Sequence, residues 1–348
     1  MMKAIDIKGG SGSREALFLN PSTPKPVPGK GQALVRVHAF GINRMDILQR
    51  RGAYPVPVGA SRVLGVEFSG VIDSLGDVDN DRDRDRDRDR DGTTLLFAVG
   101  DEVMGLVYGG AYAQYLVASL EMLLRKPPSL TWPEAAALPE AWMTATQALH
   151  SVLDFVPGRS ILWHAGASGV SVAGIQLARR AGASRVYATA GSDEKCRFVV
   201  DRLGADAAFN YKACDWAAAL GEATDGRGVD YIVDFVGGGH YFNKNLDVCA
   251  VDARIVLLGL LGGPNVPDAN ISQLLSKRIR IEGSTLRSRS PDYQRRLRHK
   301  LETYMPDFEA RRLCIIIDQA FPWEQIQEAH KHMEEARNTG KIVCTISS

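Results

Sequence analysis

The segment from Ser160 to Ala183 constrains the fold of this chain more than any other stretch of the sequence. Its apolar run Ile161–Ala165 predicts a short strand, and the amphipathic pattern from Val170 to Ala181 predicts a helix. A turn of small residues joins the two, which is the order of the first βαβ unit in dinucleotide-binding domains. Small side chains let a pyrophosphate approach the backbone closely, and the first N–H groups of the helix point at the anion.

The glycine motif of this turn is incomplete, which leaves two interpretations open. A full G-x-G-x-x-G would place glycines at positions 166, 168 and 171, whereas the sequence has Gly166, Ser168 and Ser171, with an additional Gly169. Because many buried strand-to-helix turns contain glycine, the turn alone fits a nucleotide site and a purely structural turn equally well. At a position where glycine is usual, Ser171 is expected to loosen the packing of the helix on the strand or to shift the cofactor.

Strand and helix patterns continue to alternate beyond the glycine turn. Apolar runs that end in glycine or a small residue are separated by helical patterns such as Lys195–Leu203. We therefore expect a parallel sheet with helices on both faces, whose ligands bind at the carboxyl ends of the strands. The predicted strands are Arg185–Ala190, Ala207–Asn210, Asp230–Val236, Arg254–Leu258 and Arg278–Ile281.

Length, charge and cysteine usage exclude several other classes of protein. A chain of 348 residues is long enough for two domains. A net charge of +1 argues against general binding of nucleic acid or anionic membranes, and no apolar run is long enough to cross a bilayer. The 5 scattered cysteines are typical of reduced thiols. We expect a cytoplasmic protein that acts on a small molecule, with no nucleic-acid or membrane partner.

The first part of the chain has the alternation of mainly antiparallel β structure. The run Ala33–Ala39 alternates strongly, and its His38 is expected to be an ordinary strand residue. The Asp-Arg tract at 79–92 has no apolar side chains and its alternating charges largely cancel, so we expect an exposed, mobile loop. A predicted last strand, Lys341–Ile346, is expected to fold back onto the N-terminal domain.

Several segments together resemble the medium-chain dehydrogenase/reductase superfamily. The resemblance is to its zinc-free NADPH:quinone oxidoreductase branch, and within that branch to the p53-inducible quinone oxidoreductase type. It covers nearly the whole chain apart from the Asp-Arg tract. The segments are Asn43-Arg44 with Asp46, Gln49-Arg50 and Gly52, then Leu138–Trp142, His164–Gly166, Ser168–Val170, Thr189–Ser192, Phe209–Lys212, Leu286–Arg289, Ile326–His330 and Gly340–Val343.

The resemblance implies an α/β fold with two domains. Residues 1–128 would form a GroES-like, mainly antiparallel β catalytic domain, and residues 287–348 would complete it. Residues 129–286 would form a Rossmann domain, a doubly wound parallel sheet that binds NADPH. Because family members commonly pair through the edge of the Rossmann sheet, a homodimer is expected.

The resemblance also indicates that the ligands of a catalytic zinc are missing. The corresponding positions are Asn43, Val66 and Glu140, and no cysteine precedes Cys196. Tetrahedral zinc requires several thiolate or imidazole ligands, so we predict no bound metal. We expect Glu140 to be buried near this position as a structural carboxylate that accepts backbone N–H groups.

The end of the second Rossmann strand determines the expected cofactor. NAD-specific folds place Asp or Glu there to bind the ribose 2′-hydroxyl. This chain has Ala190-Gly191-Ser192, which leaves room for a 2′-phosphate and lets Ser192 donate a hydrogen bond. The resemblance assigns Lys195 and Tyr211 to this phosphate; the alternatives are a solvated lysine and a surface aromatic residue. We predict NADPH.

The candidate site residues form two groups, one expected to contact the substrate and one expected to bind the cofactor. For the substrate end we select Tyr54 and Asn43, with the Tyr54 hydroxyl orienting or protonating a quinone oxygen. A packing or lid role for Tyr54 is the alternative. Ser168 is a candidate for contact with phosphate or nicotinamide. The cofactor-binding candidates are Gly166, Ser168, Gly169, Val170, Gly191, Ser192, Lys195 and Tyr211, and by resemblance Val236, Gly259, Leu260 and Leu286.

Three functions remain open from the sequence. The first is NADPH-dependent reduction of quinones, which are good electron acceptors in themselves. The second is reduction of an activated C=C bond in an enone or enoyl thioester, which needs a proton donor near the α-carbon. The third is a protein that binds NADPH without catalysis.

Overall fold

The computed structural model describes residues 1–76 and 97–347, which form two compact units. The first unit contains Met1–Glu140 and Ser290–Ser348, and the second is the contiguous segment Ala141–Arg289. The predicted mixed α/β class is confirmed, because one unit is built on a largely antiparallel sheet and the other on a parallel sheet. The Asp-Arg tract at 79–92, predicted to be a mobile loop, lies outside the described residues.

The first unit begins with seven strands and two short helices, and a third helix starts at its end and continues into the second unit. The strands are β1 (Met2–Ile7), β2 (Leu17–Thr23), β3 (Gln32–Ile42), β4 (Glu67–Leu75), β5 (Glu102–Leu106), β6 (Tyr115–Ser119) and β7 (Leu123–Arg125). The helices are α1 (Arg44–Arg50), α2 (Trp132–Ala136) and α3 (Pro139–Thr146), with 3-10 turns at Arg14–Ala16 and Leu120–Met122. Helix α3 leads the chain into the second unit.

The second unit alternates strands with helices. After a π-helical segment its strands are β8 (Ser160–Trp163), β9 (Arg185–Ala190), β10 (Ala207–Asn210), β11 (Val229–Asp234), β12 (Cys249–Leu257) and β13 (Arg280–Gly283). The π-helical segment is Gln147–Val152, and the helices are α4 (Gly169–Arg180), α5 (Asp193–Leu203), α6 (Trp216–Ala223), α7 (His240–Val248) and α8 (Ser272–Ser276).

The chain then returns to the first unit. Its last elements are α9 (Pro291–Glu302), α10 (Met305–Glu309), β14 (Ile317–Pro322), a 3-10 turn (Trp323–Gln325), α11 (Ile326–Glu334) and β15 (Lys341–Thr345). No helix in the described ranges is both long and apolar enough to cross a membrane.

The sheet of the second unit has the order β10-β9-β8-β11-β12-β13, and every neighbouring pair is parallel. The strand order reverses beside β8, between β8 and β11, as in doubly wound dinucleotide-binding folds. The predicted strands are confirmed to within a few residues at their ends. Ligand sites of such folds lie beyond the carboxyl ends of strands at this reversal.

The larger sheet of the first unit has the order β14-β15-β3-β4-β5-β7, with β6 also paired to β3. Strands β1 and β2 form a separate antiparallel pair. Strand β15 lies between β14 and β3 and pairs antiparallel with β3, so the C-terminal strand returns to the first unit as expected.

The first unit extends to Glu140, beyond the expected boundary at residue 128. Helix α2 belongs to this unit because its Trp132 stacks on His38 of β3, with ring centroids 4.4 Å apart. The Ser69 hydroxyl of β4 also donates to the Trp132 carbonyl at 2.7 Å. His38 is therefore a packing residue of its strand.

Candidate functional site

The glycine turn after β8 brings the backbone close to the neighbouring strand β9. The Gly166 N–H donates to the Thr189 carbonyl at 2.7 Å. A Cβ at position 166 would lie 2.8 Å from the Ala188 Cβ, so only glycine fits without displacement. Ala165 has a left-handed φ of +50°, an uncommon conformation for a residue with a side chain. The turn is thus a tightly constrained entry into α4.

Ser168 and Ser171 together organise the start of α4. Ser168 is the N-cap residue, and its hydroxyl accepts from the Ser171 N–H at 3.4 Å. The Ser171 hydroxyl donates to the His164 carbonyl at 2.8 Å and is completely buried. Ser171 therefore ties the helix to the preceding strand, and the expectation that it loosens this packing is wrong.

The close helix–strand contact of a dinucleotide fold is supplied one turn later, by Gly174. A Cβ at this position would overlap the indole of Trp163, which is completely buried at the end of β8. The sequence prediction did not identify this pair. Its signal is a glycine on the buried face of a predicted helix opposite a large aromatic residue on the strand.

The first turn of α4 presents free main-chain donors. Within the described residues, the N–H groups of Gly169 and Val170 have no hydrogen-bond acceptor, and both residues are partly exposed. These are the groups that bind a phosphate at a helix N-terminus, where the helix dipole also favours negative charge. Gly166, Ser168, Gly169 and Val170 thus lie together in one turn.

Strand β9 is the second strand of the second unit in chain order. Its carboxyl end has small residues and no carboxylate facing the expected ribose position. Ser192 caps α5, with its hydroxyl accepting from the Lys195 N–H at 3.2 Å. Asp193, the nearest acidic residue, accepts a hydrogen bond from the side chain of Asn210 at 2.7 Å. The side chain of Asp193 is thus engaged by the neighbouring strand.

Tyr211 follows β10 and lies beside the same turn. Its hydroxyl is so close to Gly191 that a Cβ on the glycine would lie 2.7 Å away. The tyrosine as a whole remains 41% exposed, so part of it is accessible to a ligand. Gly191, Ser192, Lys195 and Tyr211 therefore surround the carboxyl ends of β9 and β10.

A buried hydrogen-bond chain connects the carboxyl ends of β8, β9 and β11. The Asn245 Nδ2 donates to Asp234 at 2.9 Å, so its Oδ1 faces His164 Nε2 at 2.7 Å. His164 Nδ1 then accepts from the Thr189 hydroxyl at 2.9 Å. Complete burial lowers the pKa of His164, so the ring is neutral. The chain holds three strand ends in a fixed arrangement.

Asp234 also fixes the backbone of the loop after β11. Its carboxylate accepts the N–H groups of Val236 at 2.7 Å and of Gly237 at 3.2 Å. Gly237 has a φ of +71° and packs against Leu260 of the next loop. Val236 and Gly259 are partly exposed, Leu260 is exposed, and Leu286 is buried after β13. His164, Asn245 and Asp234 were not identified as site residues from the sequence.

In the first unit, Asn43 lies in a cluster of buried charged groups. Its Nδ2 donates to Glu67 Oε1 at 2.9 Å, and its Oδ1 accepts from Lys341 Nζ at 2.8 Å. Lys341 and Glu67 form an ion pair at 2.5 Å, and Glu67 is completely buried. Glu67 Oε2 accepts the backbone N–H of Glu140 at 2.8 Å. The expectation that Glu140 is buried is wrong, because it is partly exposed, and the completely buried carboxylate that accepts a backbone N–H is that of Glu67.

A second buried hydrogen-bond chain connects Arg50 and Asp46, two residues of α1. Because the Arg50 guanidinium only donates, His330 Nδ1 accepts from it at 3.0 Å and His330 Nε2 donates to Tyr112 at 3.2 Å. The Tyr112 hydroxyl in turn donates to Asp46 at 3.1 Å. Burial raises the pKa of Asp46 to about 6 and lowers that of His330 to about 3.

Tyr54 lies on the loop that follows α1 and is partly exposed. Asn43 precedes the same helix and is its N-cap residue. The two candidates for the substrate end are therefore placed at opposite ends of α1, in the first unit, while the cofactor-binding candidates all belong to the second.

Two family models match this chain, in keeping with both units. The alcohol dehydrogenase GroES-like domain matches residues 29–128, and the zinc-binding dehydrogenase model matches residues 169–302. A solved NAD-dependent alcohol dehydrogenase is 30% identical, with a TM-score of 0.83 and complete coverage of both chains. The chain belongs to the medium-chain dehydrogenase/reductase superfamily and is an oxidoreductase of that family.

Individual relatives differ in their stated reactions. Quinone oxidoreductase-like protein 2 of Bos taurus is 29% identical, covering 96% of this chain and 90% of that protein. A mycobacterial protein solved in complex with NADPH is 26% identical, with a TM-score of 0.82 over 99% of this chain and 100% of that one. CurK enoyl reductase is 25% identical, with a TM-score of 0.82 over 99% of both chains.

The zinc ion named in the family description does not fit the cluster at Asn43. A divalent cation beside Glu67 would meet the ammonium of Lys341, which already neutralises this carboxylate. The amide of Asn43 and the aliphatic side chain of Val66 supply neither thiolate nor imidazole. Across residues 1–76 and 97–347, no group of three or more His, Cys, Asp or Glu side chains is placed to hold a metal ion.

A dinucleotide does fit the second unit. The glycine turn and the free N–H groups of α4 can hold the pyrophosphate, and the small residues at the end of β9 bring no bulky side chain to the adenosine end. The loop at Val236 and Gly237, which Asp234 holds, lies at the carboxyl end of β11, where ligands bind in such folds.

Proposed function

We propose that this chain is a zinc-free, NADPH-dependent reductase of quinones, of the p53-inducible quinone oxidoreductase type. The observation that carries the proposal is the Lys341–Glu67 ion pair, which holds Asn43, one of the positions to which the resemblance assigns a zinc ligand in zinc-dependent relatives. The ion pair thus presents the neutral amide of Asn43 where zinc-dependent relatives would hold a Lewis acid. Such a site suits an acceptor that is electron-poor in itself, as quinones are.

NADPH is favoured over NADH by the charge around the end of β9. Asp193 is held by Asn210, and no carboxylate side chain lies at Ala190 or Gly191 to bind a ribose 2′-hydroxyl. Lys195 supplies a positive charge in the first turn of α5. Its ammonium would hold the 2′-phosphate, with Tyr211 beside it.

The bound nicotinamide would supply a hydride to the acceptor. The chain contributes binding and orientation: the turn at Gly166 and α4 hold the phosphates, and the Asp234 chain fixes the loop at Val236. In the first unit, the Tyr54 hydroxyl would orient or protonate a quinone oxygen.

Stopped-flow oxidation of NADPH by the purified chain tests this function, with phenanthrenequinone and cyclohexenone as paired acceptors. We expect rapid turnover with the quinone and slow turnover with the enone. Cofactor binding without oxidation by either acceptor would instead support the non-catalytic function. Failure to bind either NADPH or NADH would refute both.

The second candidate is an enone or enoyl reductase, which the similarity to CurK enoyl reductase supports. That reaction needs a proton donor near the α-carbon, whereas quinone reduction does not strictly need one. Tyr54→Phe removes the proposed donor while keeping the ring. We expect this variant to lose enone turnover and to retain quinone turnover; equal losses would remove the distinction.

We also propose that the chain forms a homodimer in the cytosol. Strand β13 is an edge of the parallel sheet, and apolar side chains are exposed on the neighbouring loop and helix, at Leu260, Leu261, Ile271 and Leu275. Pairing through this edge would cover them. Light scattering of the purified chain tests the stoichiometry, and a monomeric mass would refute the dimer.

A further inference from the structure

The side-chain amide of Asn43 is held in one orientation by two buried charges. Lys341 Nζ can only donate, so the Asn43 atom that faces it at 2.8 Å is the carbonyl oxygen Oδ1. The Glu67 carboxylate only accepts, so the atom that faces it at 2.9 Å is the amide nitrogen Nδ2. A flipped amide would set donor against donor and acceptor against acceptor, and the two contacts together exclude it.

Lys341 has no proton left for a substrate. Its three N–H groups go to Glu67 Oε1 at 2.5 Å, to Asn43 Oδ1 at 2.8 Å and to the Ile42 carbonyl at 3.2 Å. The side chain is only 7% exposed. Lys341 therefore acts on Asn43 and not on a ligand.

Glu67 is fixed in the same way. Oε1 accepts from Lys341 and Asn43, and Oε2 accepts from the backbone N–H of Glu140. Gly41 makes the space for this carboxylate, since a Cβ there would overlap the Glu67 side chain. The ion pair is thus a rigid, fully satisfied support.

One donor remains in this cluster. Asn43 Nδ2 carries two protons, of which one goes to Glu67, and the other has no acceptor among the described residues. We propose that the Lys341–Glu67 pair positions Asn43 as a directed hydrogen-bond donor to a carbonyl oxygen of the acceptor. The proposal rests on the proposed function and specifies its substrate class as a carbonyl-bearing acceptor. Negative charge develops on that oxygen during reduction, so the bond strengthens toward the transition state.

The kinetic test compares Lys341→Met with a matched control in the full-length chain. Arg298→Met removes another buried cation of the first unit, which donates to the Leu123 carbonyl at 2.9 Å. We expect Lys341→Met to lower kcat/KM for phenanthrenequinone about 10-fold, mainly through kcat, the size of one hydrogen bond. NADPH affinity should stay within about 2-fold, and Arg298→Met should lower thermal stability without this kinetic loss.

Two results would overturn the proposal: unchanged quinone kinetics in Lys341→Met, or an equal loss in Arg298→Met. If the unpaired carboxylate of Lys341→Met prevents folding, the double variant Glu67→Gln/Lys341→Met removes both charges and carries the same expectation.

A second test needs no turnover and separates this proposal from the proposed function. NMR of the Asn43 side-chain amide, assigned through its loss in Asn43→Asp, reports each Nδ2 proton. We expect one proton protected from solvent exchange by its bond to Glu67 and one exchanging freely in the unmodified chain. If the chain reduces no quinone but shows this pattern, only the proposed function fails. Similar exchange of both protons in the unmodified chain would refute the orientation itself.

Discussion

Gly174→Ala tests the idea that close packing of α4 on β8 builds the nucleotide site. The added Cβ would lie 2.1 Å from the nearest atom of the Trp163 indole, with two more ring atoms at 2.3 and 2.4 Å. Reaching an ordinary contact of 3.4 Å requires a shift of about 1.3 Å. Trp163 is completely buried, so the ring has no open space to move into. Overpacking of this kind costs about 3 kcal/mol.

Gly221→Ala is the matched control, because Gly221 is also helical and a Cβ there meets no atom within 4 Å. Alanine gains about 1 kcal/mol of helix propensity at either position. Gly174→Ala should therefore lose about 2 kcal/mol net, while Gly221→Ala gains about 1 kcal/mol. Urea unfolding followed by far-UV circular dichroism measures both.

Cofactor affinity provides the second readout of this pair. A displaced α4 moves the free N–H groups of Gly169 and Val170, so Gly174→Ala should bind NADPH at least about 10-fold more weakly. Gly221→Ala should bind it normally. If Gly174→Ala is as stable as Gly221→Ala and binds NADPH as tightly, the close-packing argument is wrong.

Two further predictions concern charge. Asp46 has its pKa raised by burial to about 6, so the stability it contributes is present below the unfolded pKa and is lost as pH rises through 6. The free energy of unfolding of the wild type relative to Asp46→Asn should therefore fall by about 3 kcal/mol between pH 4 and pH 8, and a pH-independent difference would contradict this. Lys195→Ala should weaken NADPH by about 1–3 kcal/mol and NADH much less in fluorescence titrations. Equal losses for the two cofactors would remove Lys195 from the phosphate site.

The parallel sheet could be predicted from the sequence because its signals are local. Strands such as β9 and β12 are apolar runs that lead into a glycine within two residues, and helical patterns separate the strands of the sheet. The expectation for Ser171 was wrong because its contact is not encoded in such a local pattern. Its hydroxyl bonds to the carbonyl of His164 seven residues earlier, a contact that depends on the three-dimensional path of the turn.

The cluster of Asn43, Glu67 and Lys341 in the first unit could not be predicted from the sequence. Glu67 and Lys341 each begin a strand whose following residues are largely apolar, which is a local sign of a buried charge. Their pairing depends on β4 and β15 lying on either side of β3, a consequence of topology across 274 residues of chain. Without that pairing, the sequence favoured Glu140 as the buried carboxylate, whereas Glu140 is partly exposed and its backbone N–H donates to Glu67.

The position of β15 also bears on how the chain matures during synthesis. Residues 141–289 are contiguous, so the nucleotide-binding unit can fold while the ribosome is still translating the C-terminal segment. The first unit must wait for its final strand, which lies between β14 and β3 and begins with Lys341. A nascent chain that stops before Lys341 would therefore be able to complete its nucleotide-binding unit. In its first unit, however, the edge of β3 would stay unpaired and Glu67 would lack its counterion.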